Sequence, residues 1–132
     1  MNLNFKISEL IYSDLAKQNN INNMPDIKSL DNLLNLIFYC LQPVRNLIKK
    51  PMIITSGYRN NYLNRLVGGK TNSQHKEGKA VDFVVKGMTA NEVVEIIKNS
   101  DIVFDQLINE YDKWVHISFS KNKNRKQILH IK

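Results

Sequence analysis

Asp82 stands inside the apolar run Ala80-Val81-Asp82-Phe83-Val84-Val85. A lone carboxylate buried in such a strand costs several kcal/mol unless something compensates it. A buried cation, backbone donors or a metal ion would each serve. His75 lies seven residues earlier, and the intervening Gly78 and Ala80 are small enough to let a loop fold back against the strand. His116 sits in Trp114-Val115-His116-Ile117-Ser118-Phe119, where alternation sets Val115, Ile117 and Phe119 on one face and Trp114, His116 and Ser118 on the other. Two histidines and one carboxylate are the ligand set of a catalytic zinc, which keeps its fourth position for water. A closed structural zinc site would want cysteines, and this chain has only Cys40, which also leaves no intrachain disulfide. Taken singly, each residue has a plainer reading, as a loop histidine, a satisfied core histidine and an ion-pair partner.

The elements that must position these residues follow from periodicity and punctuation. Ser8 is placed to cap a first helix carrying Leu10, Ile11 and Leu15, which the Asn-rich stretch 19–23 and Pro25 end. From Ser29, apolar residues at three- and four-residue intervals (Leu30, Leu33, Leu34, Ile37, Leu41, Val44, Leu47, Ile48) predict a core-facing helix that Pro43 kinks or splits. Residues 52–55 form a β-branched run that predicts a buried strand, with Arg59 just past its end. A short helix over 60–67 stops at Gly68-Gly69, and 70–78 is a polar loop. Residues 80–85 read as a strand. Thr89 and Glu92 form a capping box that opens a helix. Residues 104–110, 114–120 and 127–131 then read as a strand meander. Helices first and paired strands last predict an α+β fold with a mainly antiparallel sheet flanked by helices, in one domain over 1–132.

Nineteen Lys+Arg against twelve Asp+Glu give a net charge of +7, and 42% hydrophobic with 23% charged residues is ordinary globular composition that excludes disorder and fibrous repeats. The basic excess is densest over 121–126 and no aromatic residues interleave with it, so nucleic-acid binding is a minor reading. The longest apolar run, 33–41, is far short of the ~20 residues that span a bilayer. The first ten residues lack the apolar stretch of a secretory signal, which predicts synthesis in the cytoplasm. Nothing in the chain indicates its oligomeric state, and a monomer is the working expectation.

Residues 73–82 fit the pattern S-x-H-x-x-G-x-A-x-D, with Ser73, His75, Gly78, Ala80 and Asp82 at the fixed positions. The chain resembles metallopeptidase family 15, the zinc D-alanyl-D-alanine carboxypeptidases and related peptidoglycan peptidases of Hedgehog-like fold. The resemblance extends to Ile54-Thr55-Ser56-Gly57-Tyr58-Arg59, to Val67-Gly68-Gly69 and to Trp114-Val115-His116-Ile117-Ser118. It implies one zinc held by His75, Asp82 and His116. It also implies Arg59 as the cation beside the substrate, orienting the peptide or stabilising the oxyanion. Ser73 is expected to hydrogen-bond a ligand rather than act as nucleophile, because no histidine is left in its loop to activate it. His130 reads as structural.

Many members of that family place an acid three residues before the last histidine, where this chain has Lys113. A three-residue hairpin loop over 111–113 would set Glu110 opposite Trp114 and Ile108 opposite His116. Glu110 would then share a face with His116, on diagonal positions. Glu110 is therefore the expected general base and Asp112 the alternative. A two-residue loop would turn Glu110 to the other face. The implied activity is hydrolysis of a peptidoglycan stem peptide, as a D,D-carboxypeptidase or as an endopeptidase such as an L-alanyl-D-glutamate hydrolase. Small size and the lack of an export signal fit a phage-type endolysin released at lysis, and equally a virion-associated or bacterial cytoplasmic protein. The rival class is a non-hydrolytic module that keeps the fold and the zinc.

Overall fold

The computed structural model describes residues 3–132. Two short helices, α1 (Ile7–Ile11) and α2 (Asp14–Gln18), replace the single N-terminal helix expected. Ser8 lies inside α1, and Ser13 is the residue that caps, its side chain accepting from the Ala16 amide. The long helical run begins at α3 (Ile27–Leu36), two residues before Ser29. Asp26 Oδ1 accepts the Ser29 amide at 2.7 Å and so supplies the cap. The run continues through one π-helical turn (Ile37–Leu41) into α4 (Gln42–Ile48). Pro43 has no N–H to give the preceding turn, and the Gln42 amide instead reaches back five residues to the Ile37 carbonyl. The expected kink is thus taken up as a π turn. The buried stripe is Leu33, Leu36, Ile37, Cys40, Leu41 and Val44, whereas Leu34 and Leu47, expected inside, are exposed.

The five strands are β1 (Met52–Ser56), β2 (Ala80–Val85), β3 (Gln106–Glu110), β4 (Trp114–Ser118) and β5 (Gln127–Ile131), in the sheet order β1-β2-β4-β3-β5. Strand β1 is an edge strand with Ile53 exposed, not the fully buried strand its composition suggested. The last three strands are not a meander: β3 and β4 form an antiparallel hairpin, but β5 pairs in parallel with β3 at the far edge. Every other pairing is antiparallel, so the fold is α+β with a mainly antiparallel sheet flanked by helices. Helix α5 (Asn61–Leu66) and α6 (Ala90–Lys98) form where expected, the latter behind the Thr89/Glu92 capping box.

The core fills one face of this sheet. Val81, Phe83, Leu107, Val115 and Ile117 from the strands pack with Leu33, Leu36 and Leu41 of the long helical run and with Val93, Val94 and Ile97 of α6. Period-2 alternation then sends Asp82, Ile108, Glu110 and His116 to the opposite face.

Candidate metal centre

In the β2–β4 ladder Asp82 pairs directly with His116, and in the β3–β4 ladder His116 pairs with Ile108 while Glu110 pairs with Trp114. The hairpin loop therefore has three residues, and the register is the one that sets Glu110 diagonal to His116. Tyr111 and Asp112 make this turn with left-handed backbones, φ 59° and 54°. The Asp112 amide donates to Asn109 Oδ1 and the Lys113 amide to the Glu110 carbonyl.

His75 comes from a 3₁₀ turn (Gln74–Glu77) between β2, α3 and α5. Gly78 ends the turn at φ +73°, and a Cβ there would meet the Ser29 carbonyl oxygen at 2.4 Å. Only glycine fits, on both counts. The Ser73 hydroxyl accepts the His75 amide at 3.2 Å, a contact to the backbone and not to the ring. The ring is held elsewhere: His75 Nδ1 lies 2.8 Å from the Gly57 carbonyl oxygen. A carbonyl only accepts, so Nδ1 carries the proton and the Nε2 lone pair faces Asp82. Gly57 is itself pressed against α1, where a Cβ would come within 2.0 Å of the Leu10 carbonyl oxygen.

His75 and His116 are buried and Asp82 is nearly so. Asp82 Oδ1 is 3.4 Å from His75 Nε2 and 3.0 Å from His116 Nδ1. One donor atom from each of the three lies within 4.8 Å of the others. Ligands at about 2.1 Å from a tetrahedral zinc stand about 3.4 Å apart. The two shorter separations are close to that value, and the donor set of two imidazoles and a carboxylate fits a zinc that keeps an open position. Burial would raise the Asp82 pKa, but hydrogen bonds and charge from His116 and His75 outweigh it and hold the carboxyl well below the usual aspartate range.

Glu110 stands beside this cluster, and its pKa is raised. Burial is the main cause and the Asp82 charge adds to it, while His116, His75 and the Trp114 indole work in the opposite direction. That indole N–H is buried and makes no well-formed hydrogen bond. Arg59 donates its amide to the His75 carbonyl at 3.0 Å, and its side-chain Nε is buried without a partner. Burial lowers the Arg59 pKa, against the pull of Asp82 and Glu110. The Asp112 carboxylate lies elsewhere: it is exposed and accepts the Asn91 amide at 3.0 Å, at the start of α6. His130, on β5, is exposed and stands outside the cluster.

Asp105 is a structural residue that sequence reasoning missed. It is buried, takes a bidentate pair from Arg125, accepts the Arg125 amide, and accepts Gln74 Nε2 at 2.8 Å. It thereby ties the turn that carries His75 to the 119–126 connection. Its partners lie 20 and 31 residues away, so no local spacing marks it.

Two clefts adjoin the cluster. One of about 620 Å³ is lined by His75, His116, Glu110 and Tyr111. The other, of about 600 Å³, is lined by Asp82, Arg59, Tyr12 and Asp14. Among the described residues no helix is long and apolar enough to cross a membrane.

A search of curated proteins found no match to the chain. The peptidase M15 family model matches residues 3–118, from before α1 to the end of β4, a span that holds all three cluster residues together with Arg59 and Glu110. The chain belongs to the peptidase M15 family, and a metallopeptidase of that family has a possible metal site at His75, Asp82 and His116.

Proposed function

We propose that residues 1–132 are one catalytic domain, a zinc-dependent peptidase that hydrolyses peptide bonds of peptidoglycan stem peptides. The observation that carries this reading is the convergence of two imidazoles and a carboxylate with Glu110 one diagonal step away on the same sheet face. His75, Asp82 and His116 would hold the zinc, which supplies Lewis-acid polarisation of the scissile carbonyl. Glu110 accepts a proton from the attacking water and returns it to the amine nitrogen as the C–N bond breaks. Its raised pKa brings it toward the proton affinity such a shuttle needs. The unpartnered donor of Arg59 supports a role in holding the developing oxyanion. Asp112 is the weaker candidate for base because its carboxylate is taken up by the Asn91 amide. Ser73 and the Gly57 carbonyl orient His75, the first through its amide and the second through its ring.

The test is mass spectrometry of stem peptides and muropeptides after incubation with the zinc-loaded protein, which reads activity and bond position together. New fragments are expected. A second reading, a non-hydrolytic zinc module, is motivated by Lys113 at the place where many family members carry an acid. It would be favoured by stoichiometric zinc with no turnover on any muropeptide.

A further inference from the structure

Arg125 gives only part of its guanidinium to Asp105. Its Nε and Nη2 donate to Oδ1 and Oδ2 at 2.8 and 2.9 Å, and its amide donates to Oδ1 at 2.9 Å. The Asp105 side chain is 6% exposed against 51% for Arg125, so a molecule in solvent meets the cation and not the acid. Nη1 takes no part in the pair, and the donor fork of a guanidinium presents more than one edge. Arg125 lines the same cleft as His75, His116 and Glu110, and Lys70 lines it too. We propose that the outer edge of Arg125 is a subsite for a carboxylate of the peptide substrate, set apart from the bond under attack. The proposal rests on the peptidase reading and adds to it a determinant of which peptides are taken.

The cation is held in place before any ligand arrives. Asn124 brackets the connection that carries it, with Oδ1 accepting the Ser120 amide at 2.9 Å and Nδ2 donating to the Ser120 carbonyl at 2.7 Å. Asp105 then fixes both the backbone and the side chain of Arg125, and through Gln74 Nε2 it joins them to the turn that bears His75. Little rotamer freedom is left to lose on binding, which is the usual cost of enlisting an exposed arginine. A neutral pair would tie the same segments together without enclosing a carboxylate. The ion pair adds a charged edge on the cleft wall. Strand register sets how far that edge stands from the chemistry. Asp105 comes three residues before Ile108, the pairing partner of His116, which is about 10 Å of strand. An extended peptide covers that distance in roughly three residues. The carboxylate taken by Arg125 is therefore farther from the reacting bond than the terminal group of a single released amino acid. Arg125 also lies beyond residues 3–118, the span of the family match, which assigns it no role.

The probe is the stem pentapeptide L-alanyl-γ-D-glutamyl-L-lysyl-D-alanyl-D-alanine, whose carboxylates are the glutamate α-carboxyl and the terminus. It is made as the free acid, with the terminus amidated, and with the glutamate α-carboxyl amidated, and each form is incubated with the zinc-loaded protein. Amidating one of the two carboxylates should raise KM and lower kcat/KM by about five- to thirtyfold, and which one it is identifies the group Arg125 takes. In Arg125→Gln that preference should shrink to less than about twofold. Arg125→Lys keeps a charge for Asp105 without the outer edge of the fork, and it should lose most of the preference as well. A parent that treats all three peptides alike, or variants that slow all three equally and keep the parent's preference, would overturn the subsite and leave the peptidase reading standing. Calorimetric binding of the same peptides to zinc-loaded Glu110→Gln and to its double variant with Arg125→Gln makes the comparison without turnover. If no peptide is cut by the parent, the peptidase reading falls, and the subsite stands or falls on whether the ratio of Kd values between acid and amide depends on Arg125.

Discussion

Glu110 and Asp112 are two residues apart on one hairpin, yet the left-handed backbone of the turn sends their carboxylates to different neighbours. Glu110→Gln keeps the shape and leaves His75, Asp82 and His116 untouched, so hydrolysis should fall by at least about a hundredfold at equal zinc content. Asp112→Asn should cost far less, since its task is to hold the start of α6. A dead Asp112→Asn with an active Glu110→Gln, in the same fragment-release assay, would reverse the assignment. Asp105 makes a separate prediction about pH. Hydrogen bonds from Arg125 lead the causes that hold its pKa below the ordinary value of 3.8 in the folded chain. A depressed carboxyl stabilises the fold fully above its unfolded pKa, and that share drains away as pH falls toward the folded value. Asp105→Asn should therefore cost about 2–3 kcal/mol at pH 7, and the gap to the parent should narrow at pH 3 in urea titrations. An equal gap at both pH values would contradict it. The cluster residues were legible in the sequence because an acid in an apolar run and a histidine in an alternating strand break local rules. The Gly57 carbonyl was not, since a backbone acceptor leaves no mark in residue types.

Strand β4 delivers His116 between Asp82 on β2 and Ile108 on β3, so the site exists only in this register. The hairpin was readable because Glu110 to Trp114 is a local pairing, fixed by loop length and alternation. Strand β5 was not: alternation states which face a residue takes, and it is silent on which neighbour the strand joins. Its parallel pairing with β3 is secured by long-range contacts, among them the Lys126 amide on the Phe104 carbonyl and the Gln127 amide on the Asp105 carbonyl. The π turn escaped for a related reason. Pro43 forecasts a disturbance in the helix without saying whether it bends or takes an extra residue. Between β1 and α5, Gly57 presses on α1 with one side and orients His75 with its carbonyl. Gly57→Ala must push the loop off the Leu10 backbone and move that carbonyl. Zinc affinity, measured by competition with a chelator, should fall about ten- to a hundredfold. Unchanged affinity would show that the carbonyl does not set the imidazole.

Across the whole molecule, the apolar core and the metal cluster occupy opposite faces of one sheet. The core is a continuous set of side chains from the long helical run, α6 and the inner strands, and it includes none of the three cluster residues. Chelation should therefore leave the far-ultraviolet circular dichroism native-like. Zinc at about a hundred times its dissociation constant adds about 2.7 kcal/mol and should raise the melting temperature by roughly 10 °C. Unfolding on chelation would mean that the ligands are part of the fold's own support. The proposed activity of this arrangement is peptide hydrolysis through one zinc. It is tested most directly by titrating zinc back into chelated protein while following muropeptide fragments by mass spectrometry. Activity should rise linearly and stop rising at one zinc per chain. Activity that survives chelation, or none at any zinc concentration, would contradict it.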